Sequence, residues 1–153
     1  MEVDKNDKRT PWWFFEQCQA RYGRFLVDVA AHQENHLCRV WLGPGSPFGE
    51  DALDTAQRWG PSNWCNPPYG PVGTIPRWIE RARYERNHFG SRTLLLLPAD
   101  TSTLWFAHVE QNEQIELVRF RLAFAASDGS TKGNSAKFGS VLVHIAPRIR
   151  RPE

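Results

Sequence analysis

Asn66, Pro67, Pro68 and Tyr69 stand consecutively and combine a carboxamide, two rigid residues and an aromatic ring. An amino group on a conjugated ring is a poor nucleophile, because its lone pair is delocalised into the ring. Accepting hydrogen bonds from both of its N–H groups draws the nitrogen toward tetrahedral geometry and localises that pair. The Asn66 side-chain oxygen can supply one acceptor and the Pro67 carbonyl the second. Pro67 and Pro68 fix φ and hold that carbonyl without reorganisation during reaction. Tyr69 can stack on an extruded base and offset part of the cost of unstacking it. The chemistry suited to this set is direct transfer of a methyl group from a sulfonium to nitrogen, with no covalent enzyme intermediate and no metal.

The tetrapeptide alone arises by chance in roughly one of a hundred chains of this size, and a Pro-rich turn after an edge strand has the same composition. Its position is what gives it weight. It follows a short strand-like segment, Asn63-Trp64-Cys65, and comes after Asp28, an acid near the end of the apolar run Phe25 to Ala30. In open α/β sheets ligands bind beyond the C-terminal ends of the strands, so Asp28 and Asn66 are expected at one edge.

The elements that must position these residues follow from periodicity and punctuation. Pro11 and Gly23 bracket a helix over Trp12 to Tyr22. Residues 43–60 are rich in Gly, Pro and acids and read as a long loop, with one short helix around Ala52 to Arg58. Pro76 can open a helix whose apolar positions Ile75, Trp78, Ile79 and Ala82 keep helical spacing. Thr93 to Leu97 is a continuous apolar run, as in a strand covered on both faces. Ser102 or Thr103 can cap a helix through about Gln111. Ile115–Val118, Arg121–Ala125 and Ser140–Ile145 complete the strands. This order predicts an α/β fold with a mostly parallel sheet, a C-terminal antiparallel hairpin and helices on both faces. Residues 10–147 are expected to form one domain, with a polar tail at 1–9 and a basic tail at 148–153.

The 153 residues suffice for one core, and 41% apolar with 24% charged residues is ordinary for a globular protein. A net charge of +2 excludes a polycation, although basic residues cluster between Arg77 and Arg92 and at Arg148 to Arg151. Three cysteines without a CxxC, a charged segment Met1 to Arg9 and an apolar run no longer than Leu94 to Leu97 point to a reduced, cytoplasmic setting and no membrane span. His32, His36 and Cys38 could supply three zinc ligands, but no fourth stands at recognised spacing, so no metal is expected.

The chain resembles the phage-type DNA N6-adenine methyltransferases of the Dam family over nearly its whole length. Thr10-Pro11-x-Trp13-Phe14-Phe15, Val27 to Ala31, Asp51-Ala52-Leu53, Trp64 to Gly70, Trp78, Leu97-Pro98-Ala99, Trp105-Phe106, Arg121-Leu122-x-Phe124 and Phe138-Gly139-Ser140 carry the resemblance, in that order. It implies a Rossmann-like methyltransferase fold, S-adenosyl-L-methionine as cofactor and adenine N6 in DNA as target, reached by base flipping. Thr10, Pro11, Asp28, Ala30, Asp51 and Asn66 would bind the cofactor. Asn66, Pro67, Pro68 and Tyr69 would perform the transfer. Tyr69, Trp78, Arg121, Lys132 and Lys137 would contact the substrate. A phage or prophage origin and action in a bacterial cytoplasm are implied likewise. Asp100, Phe120 and Lys137 depart from the family pattern, which has a basic residue, a small residue and a proline there. The tetrapeptide serves cytosine N4, RNA adenine or a protein glutamine equally well, and a non-catalytic nucleic-acid-binding module retaining the fold is the remaining reading. No separate target-recognition domain fits in this length, which leaves room for a homodimer or a partner subunit.

Overall fold

The structure, a computed structural model, describes residues 10–71, 73–122 and 139–148. Lys132, Lys137, the 1–9 tail and most of the basic tail lie outside the described residues, as do 123–125 of the strand expected at 121–125. The described elements are α1 (Trp12–Tyr22), β1 (Val27–Asp28), β2 (Val40–Trp41), β3 (Ser62–Cys65), α2 (Thr74–Phe89), β4 (Arg92–Pro98), α3 (Leu104–Asn112), β5 (Gln114–Val118) and β6 (Ser140–Ile145).

The six strands form one mixed sheet in the order β2-β1-β3-β4-β6-β5. β2, β1, β3 and β4 pair in parallel, and β6 runs antiparallel to both β4 and β5. Ser140 stands opposite Pro98 on one side and Val118 on the other, so β4 and β5 end at the same edge of the sheet. β1 and β3 end at that edge too.

β4 explains the layering. Leu94 to Leu97 are fully buried, and successive side chains point to opposite faces. Leu94 and Leu96 meet Phe14, Phe15 and Cys18 of α1. Leu95 and Leu97 meet Ile75, Trp78, Ile79 and Ala82 of α2, with Phe106 and Val109 of α3. Helices therefore cover both faces, and each buried leucine contributes about 1.5–3 kcal/mol. Gly90, in the left-handed region at φ 69°, ends α2 by donating its N–H to the Arg86 carbonyl at 2.9 Å. Thr103 caps α3, its hydroxyl accepting from Phe106 N at 3.3 Å.

Three expectations change. The strand expected over 25–30 is confined to Val27–Asp28 because the chain bends at Val29 and Ala30, although Leu26 N and Val29 N still donate to the Ser62 and Trp64 carbonyls. No helix forms at 52–58. Asp51 accepts from Leu53 N at 3.0 Å and Asp54 from Ala56 N at 2.9 Å, two consecutive side-chain turns that compete with helix. Arg121 and Leu122 are outside any strand, and β5 and β6 are joined by the long segment between Val118 and Ser140 rather than by a tight turn.

Candidate active site

β3 delivers Asn66 to the sheet edge. Its entry is fixed by Asn63, fully buried, whose side chain accepts from Gly60 N at 2.9 Å and donates to the Gly60 carbonyl at 2.9 Å. Cys65 is fully buried, Asn66 and Tyr69 are half-buried, Pro67 is buried and Pro68 exposed.

The Asn66 carboxamide is held from both ends. Its Nδ2 donates to Thr10 Oγ1 at 2.9 Å, and its Oδ1 accepts from the Tyr69 hydroxyl at 3.1 Å. The same hydroxyl lies 3.2 Å from the Leu96 carbonyl on β4. Burial pushes the Tyr69 phenol well above its ordinary value, with the Cys65 thiol adding to the effect, so it stays a donor at neutral pH. Thr10 is 4% exposed, and its side chain does not cap α1. Pro11 takes the cap position, its carbonyl accepting from Phe14 N and Phe15 N.

Asp28 ends β1 directly opposite Trp64, two residues before Asn66. It is buried, with Oδ2 accepting from Leu37 N at 2.9 Å and the Ala30 backbone N–H also bonding the carboxylate. Burial pushes its carboxyl up to about 6, and those two N–H groups and His36 hold it lower than burial alone would. Asp28 thereby ties down the segment after β1. Gly43, at φ 154°, closes the same region from β2: a Cβ there would meet the Ala31 carbonyl oxygen at 1.8 Å, so only glycine permits this approach.

Asp51 is exposed and organises a turn. The loop carrying it is pinned to α2 by residues that belong to none of the sequence motifs. Trp59 Nε1 donates to the Ala52 carbonyl at 2.9 Å, and Trp59 N donates to Glu85 Oε1 at 3.2 Å. Glu85 is ion-paired with Arg81 at 2.6 Å, both buried, and Arg81 also donates to the Gln57 carbonyl. The available signal was a charged pair at 81 and 85 on the same helical stripe as Trp78 and Ala82.

Trp78, expected at the substrate, is placed in the core between α2 and the sheet. It is 8% exposed and packs toward Trp59 with ring centroids 6.2 Å apart, because the apolar stripe of α2 faces the sheet. Arg121 is exposed just beyond β5. His36 donates from Nδ1 to the Cys38 carbonyl at 2.8 Å and stacks on Trp41, while Cys38 Sγ donates to the Phe25 carbonyl. Among the described residues no group of three or more His, Cys, Asp or Glu is placed to hold a metal, and no helix is long and apolar enough to cross a membrane.

Residues 1–152 match the family described as DNA N-6-adenine-methyltransferase (Dam). The chain belongs to the Dam family. Within it, the chain is similar to a protein of Escherichia phage T1 described as DNA N-6-adenine-methyltransferase, with 31% identity over 106 residues, 67% of this chain and 40% of the relative. The aligned chain thus spans about two fifths of the length of that Dam relative. The mixed sheet with its loaded C-terminal edge is consistent with a methyltransferase-like fold.

Proposed function

We propose that the chain is an S-adenosyl-L-methionine-dependent methyltransferase acting on adenine N6 in DNA, in a Rossmann-like fold, by flipping the target base out of the duplex. The observation that carries this reading is the hydrogen-bonded chain from Thr10 through Asn66 to Tyr69 at the end of β3. With Nδ2 committed to Thr10, the carboxamide oxygen is the atom presented on the Tyr69 side. An amide oxygen has two lone pairs, so accepting from Tyr69 is compatible with accepting from a substrate amino group. The Pro67 carbonyl serves as the second acceptor. The Tyr69 ring, fixed at its hydroxyl by Asn66 and Leu96, provides the face on which the extruded adenine stacks.

The residues fit the cofactor by the chemistry of their donor set. Thr10 and Asn66 offer neutral polar atoms for an amino-acid tail, the segment fastened by Asp28 and Ala30 gives a fixed wall, and the exposed Asp51 carboxylate suits ribose hydroxyls. When bound, the cofactor supplies an electrophilic methyl group. Asn66 and Pro67 orient the amino nitrogen and withdraw proton density from it, preorganised as acceptors where positive charge develops. Thr10 keeps the carboxamide from rotating, and Pro11 sets the start of α1 next to it. Arg121, with Lys132 and Lys137, contacts DNA phosphates. This activity would operate in a bacterial cytoplasm, from a phage or prophage gene, with a homodimer or partner subunit available for target selection.

The test is incubation with labelled cofactor and unmodified DNA and RNA oligonucleotides, followed by nucleoside analysis. Label is expected in N6-methyladenine from DNA. Label confined to cytosine, RNA or protein would overturn the assignment.

A further inference from the structure

Beside this edge lies an exposed aromatic and basic surface that the transfer chemistry does not use. Trp13 is 50% and Phe120 48% exposed. Their ring centroids are 5.7 Å apart at 31°. Buried Phe14 braces Phe120 edge-on from behind at 6.2 Å, so the Phe120 ring is supported although it faces outward. Arg119 and Arg121 flank Phe120, both exposed, and among the described residues neither is paired with a carboxylate. The neighbouring acid, Glu116, is taken by Arg21 and by the Tyr22 hydroxyl.

The placement matters as much as the composition. β5 ends at Val118 on the same sheet edge where β3 delivers Asn66, so Arg119-Phe120-Arg121 leaves the sheet on the active-site side. Trp13 is the second residue of α1 and stands three residues after Thr10, which touches Asn66. Two open aromatic rings with two unpaired guanidinium groups suit a nucleic-acid strand, whose bases have stacking faces and whose phosphates need cations. An apolar protein partner would leave both guanidinium groups without a counter-charge.

We infer that Trp13 and Phe120, with Arg119 and Arg121, form a docking platform for the DNA strand flanking the extruded base. The rings stack on an unpaired or partly unstacked base, and the two arginines bind its phosphates. This rests on the base-methylation reading above and extends its Arg121 phosphate contact to a surface that also takes in Trp13, Arg119 and Phe120. Phe120, which departs from the small residue of the family pattern, acquires a use here.

The experiment is anisotropy titration of a fluorescein-labelled duplex containing one mismatched adenine, with S-adenosylhomocysteine present, between 50 and 200 mM salt as about the useful range. The Trp13→Ala, Phe120→Ala double variant is expected to bind roughly fivefold to a hundredfold more weakly, while Trp13→Phe stays near wild type. Arg119→Gln with Arg121→Gln should lower the slope of log affinity against log salt by about 2. Calorimetric affinity for S-adenosylhomocysteine should stay unchanged in all of them, which excludes misfolding. Variants that bind DNA like wild type with an unchanged salt slope would overturn the platform. So would loss of a dimer on sedimentation with DNA affinity intact, since the surface would then seat a second copy. The two readings separate cleanly. Platform-dependent DNA binding without methyl transfer would sink the methylation reading and leave the platform standing. Methylation by variants indistinguishable from wild type would do the reverse.

Discussion

Thr10 and Asn66, 56 residues apart in sequence, share a hydrogen bond of 2.9 Å from Asn66 Nδ2 to the buried Thr10 hydroxyl. This bond decides which end of the carboxamide is available for an incoming amino group. Thr10→Val removes the acceptor and strands a polar N–H, at a cost of about 1–3 kcal/mol. Measured kcat at saturating cofactor should fall roughly tenfold or more, in addition to any weakening of the cofactor's amino-acid tail, and Thr10→Ser should restore it. A loss confined to cofactor affinity would show that the Thr10 hydroxyl does not set the carboxamide for transfer.

Tyr69 offers two separable contributions. Tyr69→Phe keeps the ring and removes the bonds to Asn66 and Leu96, so kcat should drop while DNA affinity holds. Tyr69→Ala removes the stacking face as well, worth about 1–3 kcal/mol per base. Binding of a duplex with a mismatched adenine should weaken in the alanine variant only. Equal affinities for the two variants would argue that the ring does not meet the base.

Asp28 ties stability to pH. Its carboxyl is raised from 3.8 to about 6 by burial, so the folded state holds this proton more tightly than the unfolded chain does. Its contribution is most favourable below about pH 4, is lost as pH rises toward 6, and is flat above that. Asp28→Asn, which retains an oxygen for Leu37 N, removes this dependence. Urea unfolding should show the variant gaining on wild type by about 2–3 kcal/mol between pH 4 and 7. A constant difference across that range would mean that Asp28 titrates normally.

The Arg81–Glu85 pair anchors the 51–60 loop through Trp59 and Gln57. Glu85→Ala leaves a buried guanidinium without its partner and should destabilise by about 3–5 kcal/mol. Replacing both residues, as in Arg81→Met with Glu85→Leu, should cost much less in thermal unfolding. Cofactor affinity should nevertheless fall in the double variant, because the Asp51 turn loses its tether. Unchanged affinity would show that Asp51 needs none.

The legible parts of the sequence are those set by local rules. Pro11 and Gly23 bracket α1, and the mostly apolar stretch Ser140 to Ile145 gives β6 to the residue. β2 is only Val40–Trp41 and exists because Val27 and Asp28 offer it a parallel partner, which no local pattern announces. The turns at Asp51 and Asp54 form because each carboxylate bonds an N–H two residues ahead, a competition that apolar spacing does not reveal. At the site, Asn66 to Tyr69 could be picked out by residue type, and Asp28 by its place at a strand end. That Thr10 touches Asn66 could not, because the contact joins the residues just before α1 to those just after β3, 56 positions apart in sequence. Trp78 shows a related limit of spacing: an aromatic on a helix serves a core or a pocket with the same periodicity, and its packing against Trp59 is visible only in the fold.

The central claim, that Asn66 presents an acceptor to the target amino group, is tested most directly by single-turnover methyl transfer with Asn66→Ala. Transfer to adenine N6 at saturating S-adenosyl-L-methionine should fall by about a hundredfold or more, a loss that added cofactor does not recover. Transfer at near wild-type rate in that variant would contradict it.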